Sequence, residues 1–351
     1  AAGNTVVLKP SVLTSLTALE LGKILMTAGL PAGAVNIITG TGREAGAALA
    51  GHPGIDKVSF TGSVATGRRV GAACAERLIP FTLELGGKDA MIVCEDADMD
   101  RTVAGALFGS CMNSGHFCCG TERIYVPEKI YDEFVERVVD ATKKLRQSDN
   151  GGEADVGPVF WDKQLDIIEA HMADARAKGA KVLVGGRRNP DLKGLFYEPT
   201  VVVDVDHDMD LMTKETFGPI ISIMKVKDEE EAITLANDSE YGLNGNVWTT
   251  DEEKGMRIAE RIETGGVCVN DMAITYGVPE APFGGVKHSG LGQVNGEVGI
   301  KGYAHCKPIT SDRKKGKGKV QGGFPYTEKS EKDLWRAIRY MMGTKIGRWF
   351  L

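Results

Sequence analysis

Two adjacent cysteines, Cys118 and Cys119, follow the polar, glycine-bearing run Asn113-Ser114-Gly115-His116-Phe117. A lone buried cysteine is more often a small apolar filler than a nucleophile. What turns the reading toward chemistry is the stretch Leu83-Glu84-Leu85-Gly86-Gly87-Lys88, where a carboxylate stands in an apolar strand that ends at two glycines. A thiol that attacks and a carboxylate that activates water suit covalent catalysis followed by hydrolysis. The elements that must position them are legible alongside. An apolar helical run from Val103 to Met112 leads into the cysteine loop, and a strand-like Arg123–Val126 leaves it.

The chain of 351 residues, 42% hydrophobic and 26% charged, has an ordinary globular composition with room for two or three domains. It holds no run of 18 apolar residues that would cross a membrane as a helix, and its first residues carry no charged-then-apolar leader. The seven cysteines are scattered without metal-type CxxC spacing, and the six histidines are dispersed. That pattern predicts a reducing compartment, no disulfide framework and no metal site. Nothing in the charge pattern predicts nucleic-acid binding. The net charge of −6 is uneven: residues 311–351 carry eleven Lys/Arg against four Asp/Glu, so +7, leaving −13 for the rest.

Along the chain, Thr5–Leu8 reads as a buried strand, residues 12–28 as a helix stopped by Gly29 and Pro31, and Val35–Ile38 as a second strand. Gly40, Gly42 and Gly46 then form a loose dinucleotide-type loop. Lys57–Phe60 is a third strand, Thr61-Gly62-Ser63 opens a helix reaching about Glu76, and Phe81–Leu85 is a fourth strand. A helix N-terminus such as Gly62-Ser63 suits a phosphate. The alternation predicts parallel strands with helical crossovers, the open α/β sheet of nucleotide-binding domains. A second α/β unit follows, with strands at 90–94, 181–184, 198–204, 220–226, 246–249 and 266–269. Helices are predicted at 98–112, 128–146, 161–178, 228–237 and 252–263.

Four motifs in order, Leu83–Lys88, Asn113…Cys118, Glu215-Thr216-Phe217-Gly218-Pro219 and Pro282-Phe283-Gly284-Gly285, resemble the aldehyde dehydrogenase superfamily. The resemblance covers about residues 1–310. It implies an α/β fold with a partial Rossmann-type cofactor domain over 1–86, a catalytic domain over 87–285, and a return to the cofactor domain over 286–305. It further implies an oligomerisation strand over 306–312, leaving a basic linker and amphipathic helix over 313–351. The implied activity is oxidation of an aldehyde to the acid with NAD or NADP. Cys118 is the implied nucleophile, since the family pattern is Asn-x-Gly-Gln-x-Cys, and Glu84 is the base. His116 replaces the Gln of that pattern and is assigned a turn-forming role. Lys9, Gly42, Gly46, Phe60, Gly62, Ser63, Leu85, Gly86, Gln164, Glu215 and Phe217 are the implied cofactor contacts. Asn270 and Phe283 would line the substrate side, and Lys88 would help to position Glu84. Val12 stands where NAD-preferring members often carry a ribose-binding Glu, which leaves NAD and NADP both open. The backbone N–H of Cys118 is one oxyanion donor, while the family's Asn donor falls upstream of residue 1.

Two alternatives stand beside this reading: a CoA-acylating relative, which the presence of Glu84 disfavours, and a truncated non-catalytic homologue acting as a scaffold. Residues 331–350 place Leu334, Ile338, Met341, Met342, Ile346 and Trp349 at helical spacing with basic residues between them. Such a helix suits a membrane interface or a protein surface. With the Phe324-Pro325-Tyr326 element it is similar to class 3 and fatty aldehyde dehydrogenases, implying medium- or long-chain aldehydes. A cytoplasmic homo-oligomer, dimer or tetramer, with a membrane-surface contact through 331–351 is the resulting expectation.

Overall fold

The computed structural model describes residues 2–272, 274–311, 316 and 324–343. Two compact units emerge, Ala1–Ala304 and His305–Leu351, and each is described by itself.

The first unit opens with β1 (Val6–Leu8), α1 (Ser15–Thr27) and β2 (Val35–Ile37), in which β1 and β2 pair in parallel. A π-helical turn, Gly42–Gly46, runs into α2 (Ala47–Gly51). Next come β3 (Val58–Thr61), α3 (Val64–Glu76) and β4 (Phe81–Glu84). β3 pairs in parallel with β4, and β14 (Gly290–Leu291) lies antiparallel on the other side of β4. Two departures from expectation are plain. β1 is not buried, with Val6 46% exposed, because its small sheet has only β2 as partner. The single open sheet predicted here is divided into a two-stranded and a three-stranded piece, since no ladder joins β2 to β3.

The larger sheet contains β5 (Asp89–Val93), β6 (Thr121–Pro127), β7 (Lys181–Val184), β8 (Thr200–Val203), β9 (Ile220–Val226), β11 (Asn244–Trp248) and β12 (Gly266–Val269). Their order is β12-β11-β5-β6-β9-β8-β7, all parallel except the β7–β8 pair. Strand periodicity sorts the side chains of β5: Met91 and Val93 enter one core, Ala90 and Ile92 the other. The first core is closed by α4 (Met99–Cys111) and α5 (Glu128–Thr142) through Val103, Ala106, Phe134 and Val138. The second is closed by α6 (Asp162–Ala177), α7 (Asp210–Thr213), α8 (Glu229–Asn237) and α9 (Glu252–Ala259) through Leu165, Ile168, Leu211, Ile233 and Ile258. Each such side chain, fully buried, contributes about 1.5–3 kcal/mol. Asp98, Asp228 and Asp251 cap α4, α8 and α9 by accepting the N–H three residues on, which fixes where those helices begin. β10 (Tyr241–Gly242) pairs antiparallel with β13 (Val286–Lys287), and short helices α10 (Ile274–Gly277) and α11 (Gly296–Lys301) follow their own turns.

The predicted helices over 128–146 and 252–263 end earlier, at Thr142 and Ala259. Within the single chain residues 306–311, part of the segment expected as an oligomerisation strand over 306–312, pair with no other strand. A strand exists only within a ladder, and no described strand pairs with this segment. In the second unit, α12 (Glu328–Gly343) leaves Leu334, Trp335, Met341 and Met342 exposed. Ile346 and Trp349 of the expected apolar stripe, and most of the Lys/Gly linker, lie outside the described residues. Among the described residues no helix is long and apolar enough to cross a membrane.

Candidate active site

The loop that carries the cysteines turns sharply. After α4 a short 3-10 turn, Met112–Gly115, holds Asn113 (φ 50°), Ser114 (φ 60°) and Gly115 (φ 75°) in the left-handed region. The two non-glycine positions store about 1–3 kcal/mol of backbone strain each, a cost found mostly where function requires the shape. Asn113 locks the turn, its Nδ2 donating to the His116 carbonyl at 3.0 Å while the His116 N–H donates to the Asn113 carbonyl at 3.1 Å. Burial holds the His116 imidazole down to about 4, so the ring is neutral and packs edge-on to Phe160 at 4.8 Å. His116 thus has the turn-forming contacts assigned to it.

Cys118 is half-buried and Cys119 fully buried in a small apolar cluster with Leu243 and Phe283. The Cys118 thiol is pulled below its ordinary value, first by a hydrogen bond from the Cys119 thiol. Burial opposes this, and the backbone N–H groups of Cys119 and Cys118 add to it. The same contact, with burial, pushes the Cys119 thiol far up. One sulfur of the pair is therefore readied as a thiolate and the other kept as its donor.

Glu84 ends β4, where its carbonyl accepts the Gly62 N–H at 3.0 Å. Its side chain is buried and neither carboxylate oxygen has a partner. Burial, and secondly the charge on Cys118, push this carboxyl up to about 8. A buried carboxyl without a hydrogen bond is costly to stability, so it is the kind of group retained for chemistry. The next two residues explain their own identity. A Cβ on Gly87 would stand 2.5 Å from the Cys118 carbonyl oxygen, and one on Gly86 would collide with the Glu215 carboxylate. Glycine here is what allows β4, the cysteine loop and Glu215 to converge.

Glu215 accepts the Gly87 N–H at 3.1 Å, and burial first, then the Glu122 charge, push it up to about 8. Phe217 follows in a left-handed conformation (φ 51°) with its ring 5.6 Å from that of His116. Phe283 is buried against the Cys118–Cys119 cluster. Leu85 is buried against Gly67 of α3, and the Phe60 ring covers Gly62. Lys9 and Gly46 form a separate group: the Lys9 stem packs on Gly46 and its Nζ donates to the Pro10 carbonyl at 2.6 Å. Gly42 begins the π-helical turn beside it.

Several of the expected residues make defined contacts within the chain. Lys88 does not reach Glu84; its Nζ pairs with Glu122 and donates to Thr216 Oγ1, so its polar head is held on the far side of the Gly86-Gly87 turn. Gln164 donates to the Thr216 carbonyl at 2.8 Å, so its amide nitrogen is committed to the backbone. Asn270 accepts the Thr249 N–H and donates to the Thr249 carbonyl, which commits its amide to tying the end of β12 to β11. In Thr61-Gly62-Ser63, the Gly62 N–H is spent on Glu84 and the Ser63 hydroxyl caps Thr66. What remains for an anion are the N–H groups of Val64 and Ala65 at the start of α3. Two contributors escaped sequence reasoning. Ser289 donates to the Gly86 carbonyl at 2.6 Å and accepts the Gly242 N–H at 2.9 Å. Glu122 accepts the Thr216 and Phe217 N–H groups at 2.8 and 2.9 Å. The charged pair Glu122-Arg123 leading into the apolar run 124–126 was the available signal for Glu122; a lone serine gives none.

The site joins a thiol, a buried carboxyl and a glycine turn beside a nucleotide-binding type of fold. The residues fit a dinucleotide cofactor: an unpartnered carboxyl at Glu84, a glycine cradle at 86–87 against Glu215, and free N–H groups opening α3. The chain belongs to the aldehyde dehydrogenase family, whose sequence profile matches residues 1–309. It is 45% identical over 314 residues to the chloroplastic betaine aldehyde dehydrogenase of Beta vulgaris, covering 89% of this chain and 62% of that one. A chloroplastic aminoaldehyde dehydrogenase of Arabidopsis thaliana is 44% identical, with 88% and 62% covered. Among solved structures, an NAD-dependent aldehyde dehydrogenase from Sinorhizobium meliloti superposes with a TM-score of 0.87 at 36% identity, over 91% of this chain and 63% of that one. Betaine aldehyde dehydrogenase from Staphylococcus aureus in complex with NAD+ gives 0.81 at 38% identity, over 85% and 60%. The chain thus spans about three-fifths of the length of the relatives it matches.

Proposed function

We propose that the protein oxidises an aldehyde to the carboxylic acid with NAD+ or NADP+. The observation that carries this reading is the Glu84 carboxyl, buried without a partner and close enough to Cys118 to feel its charge. In the proposed sequence the Cys118 sulfur adds to the aldehyde carbon, and the oxyanion that forms is met by the Cys118 backbone N–H. The dinucleotide, when bound, supplies the hydride acceptor. Glu84 takes a proton from water as the water oxygen attacks the resulting thioester carbon. The C–S bond then breaks, returning the thiolate and releasing the acid. Lys9, Gly62, Ser63, Leu85, Gly86, Glu215 and Phe217 are the residues proposed to hold the cofactor, with Gly42, Gly46 and Phe60 shaping the same side. Phe283 faces the substrate.

Water as the final acceptor is favoured over CoA by Glu84, the base that hydrolysis requires. The aldehyde class follows the family; betaine aldehyde and aminoaldehydes are named for relatives, and medium- or long-chain aldehydes, implied by the tail's resemblance to class 3 and fatty aldehyde dehydrogenases, are proposed beside them. The division into cofactor (1–86 and 286–305) and catalytic (87–285) regions, a homo-oligomer, a cytoplasmic setting and a membrane-surface contact through 331–351 belong to the same proposal. The test is reduced-cofactor absorbance with betaine aldehyde, 3-aminopropanal and a series from propanal to hexadecanal. NAD+ and NADP+ are run separately, on wild type and Cys118→Ala. Turnover lost in Cys118→Ala supports the reading. A wild type silent with every pair overturns it for this chain.

A further inference from the structure

Beyond the residues that would touch cofactor or substrate, one buried ion pair organises the segment between them. Lys88 is 1% exposed, and its Nζ lies 2.5 Å from Glu122 Oε2 and 3.2 Å from Thr216 Oγ1. The two oxygens of Glu122 accept successive backbone N–H groups, Thr216 at 2.8 Å and Phe217 at 2.9 Å. Thr216 Oγ1 also meets His171 Nδ1 at 3.2 Å, and the Thr216 carbonyl accepts from Gln164 at 2.8 Å. Every polar atom of Thr216 is therefore held. Lys88 is fixed in turn, because Arg123 Nε donates to its carbonyl at 2.8 Å while other Arg123 N–H groups bond the carbonyls of Leu235 and Ala236 in α8.

The chemistry explains why a charged pair sits here. Thr216 and Phe217 lie outside any strand, and their N–H groups converge on Glu122, one on each carboxylate oxygen. One carboxylate satisfies two such donors at once more strongly than neutral acceptors would. A carboxylate at that depth needs a cation, which Lys88 supplies. On one side of the clamped residue Glu215 aims its carboxylate at Gly87; on the other, Phe217 presents its ring to His116.

We propose that Lys88 and Glu122 form a positioning pair that sets how Glu215 and Phe217 are presented to the cofactor. This rests on the reading of those two residues as cofactor contacts. Neither Lys88 nor Glu122 touches the reacting atoms; both act through the backbone of 216–217.

The test uses Glu122→Gln, which keeps shape but loses the charge and one acceptor, and Lys88→Met/Glu122→Met, which removes the pair without leaving a buried charge alone. Hydrogen exchange over residues 213–219 is measured without ligand, NAD+ affinity by calorimetry, and Cys118 alkylation without cofactor as the control for an intact thiol loop. Both variants are expected to speed exchange at the Thr216 and Phe217 amides at least tenfold. NAD+ binding should weaken about tenfold or more, the scale of a misplaced positioning group, and Cys118 alkylation should stay within about twofold. Unchanged exchange overturns the clamp. Faster exchange with unchanged NAD+ affinity overturns its positioning role. A wild type that takes no NAD+ defeats the function proposed above, and the exchange result then decides separately whether the clamp exists.

Discussion

Replacing Glu84 by Gln separates the cost of a buried carboxyl from its use. The carboxyl is held near 8 against an ordinary 4.5, and at about 1.4 kcal/mol per tenfold the folded state gives up on the order of 4–5 kcal/mol once the group ionises. The sign follows from proton counts. Between pH 4.5 and 8 the folded chain holds a proton that the unfolded chain has released, so stability falls as pH rises through that window. Glu84→Gln carries no such burden. Denaturant unfolding from pH 5 to 9 should show the variant gaining on wild type with rising pH, by up to a few kcal/mol at pH 9. In turnover the same group works in the opposite direction. A base with its midpoint near 8 is about one-tenth ionised at pH 7 and half ionised at pH 8, so thioester hydrolysis should rise about fivefold from pH 7 to 8 and level about tenfold up above pH 9. Glu84→Gln should lose roughly 10²–10⁴ of steady-state rate, lose that pH rise, and show a burst of about one reduced cofactor per site. Stability curves that run parallel from pH 5 to 9, or a variant that keeps the rise toward pH 8, would refute the reasoning.

In Cys119→Ala the Cys118 thiolate loses its strongest stabilising contact, so iodoacetamide labelling of Cys118 at pH 7 should slow and its midpoint move upward. Labelling unchanged at pH 7 would show that the backbone N–H groups suffice. Gly87→Ala drives a methyl toward the Cys118 carbonyl and should cost about 1–3 kcal/mol in denaturant unfolding, with a larger loss of kcat than of stability alone. Asn270→Ala loses both bonds to Thr249 at a left-handed φ of 58°, so it should cost about 1–3 kcal/mol while leaving the aldehyde KM unchanged. Asn270→Gly should recover the backbone share only. Truncation after residue 311 should abolish co-sedimentation with anionic vesicles, and neutral vesicles should bind neither form, if the basic helix meets lipid.

How much of this was legible in the sequence follows the range of the interaction concerned. The strands over 181–184, 220–226 and 266–269 coincide with β7, β9 and β12, because short Val- and Ile-rich runs favour a strand at a half-exposed edge as well as at a buried position. Helix starts at Asp98, Asp228 and Asp251 were equally local, since a cap is made by the residue itself. The segment 306–312 shows the converse: a strand's backbone needs a partner ladder, which no described strand of this chain provides for residues 306–311.

The site divides along the same line. Glu84 and Cys118 could be singled out because each stands in a motif that resembles the family's, and the structure places the carboxyl where the charge on Cys118 acts on it. Lys88 was assigned to the wrong carboxylate because adjacency along the chain favoured Glu84, four residues away, over Glu122, thirty-four away. The physical choice runs the other way. An ion pair between Lys88 and Glu84 would neutralise the base and hold it ionised, lowering the basicity that water activation needs. Pairing Lys88 with Glu122 leaves Glu84 without a counter-charge, and the burial that pushes it to about 8 can act unopposed. One lysine thus serves both halves of the proposed arrangement: what it holds fixes the 216–217 backbone, and what it leaves alone keeps Glu84 free for the role of base proposed for it.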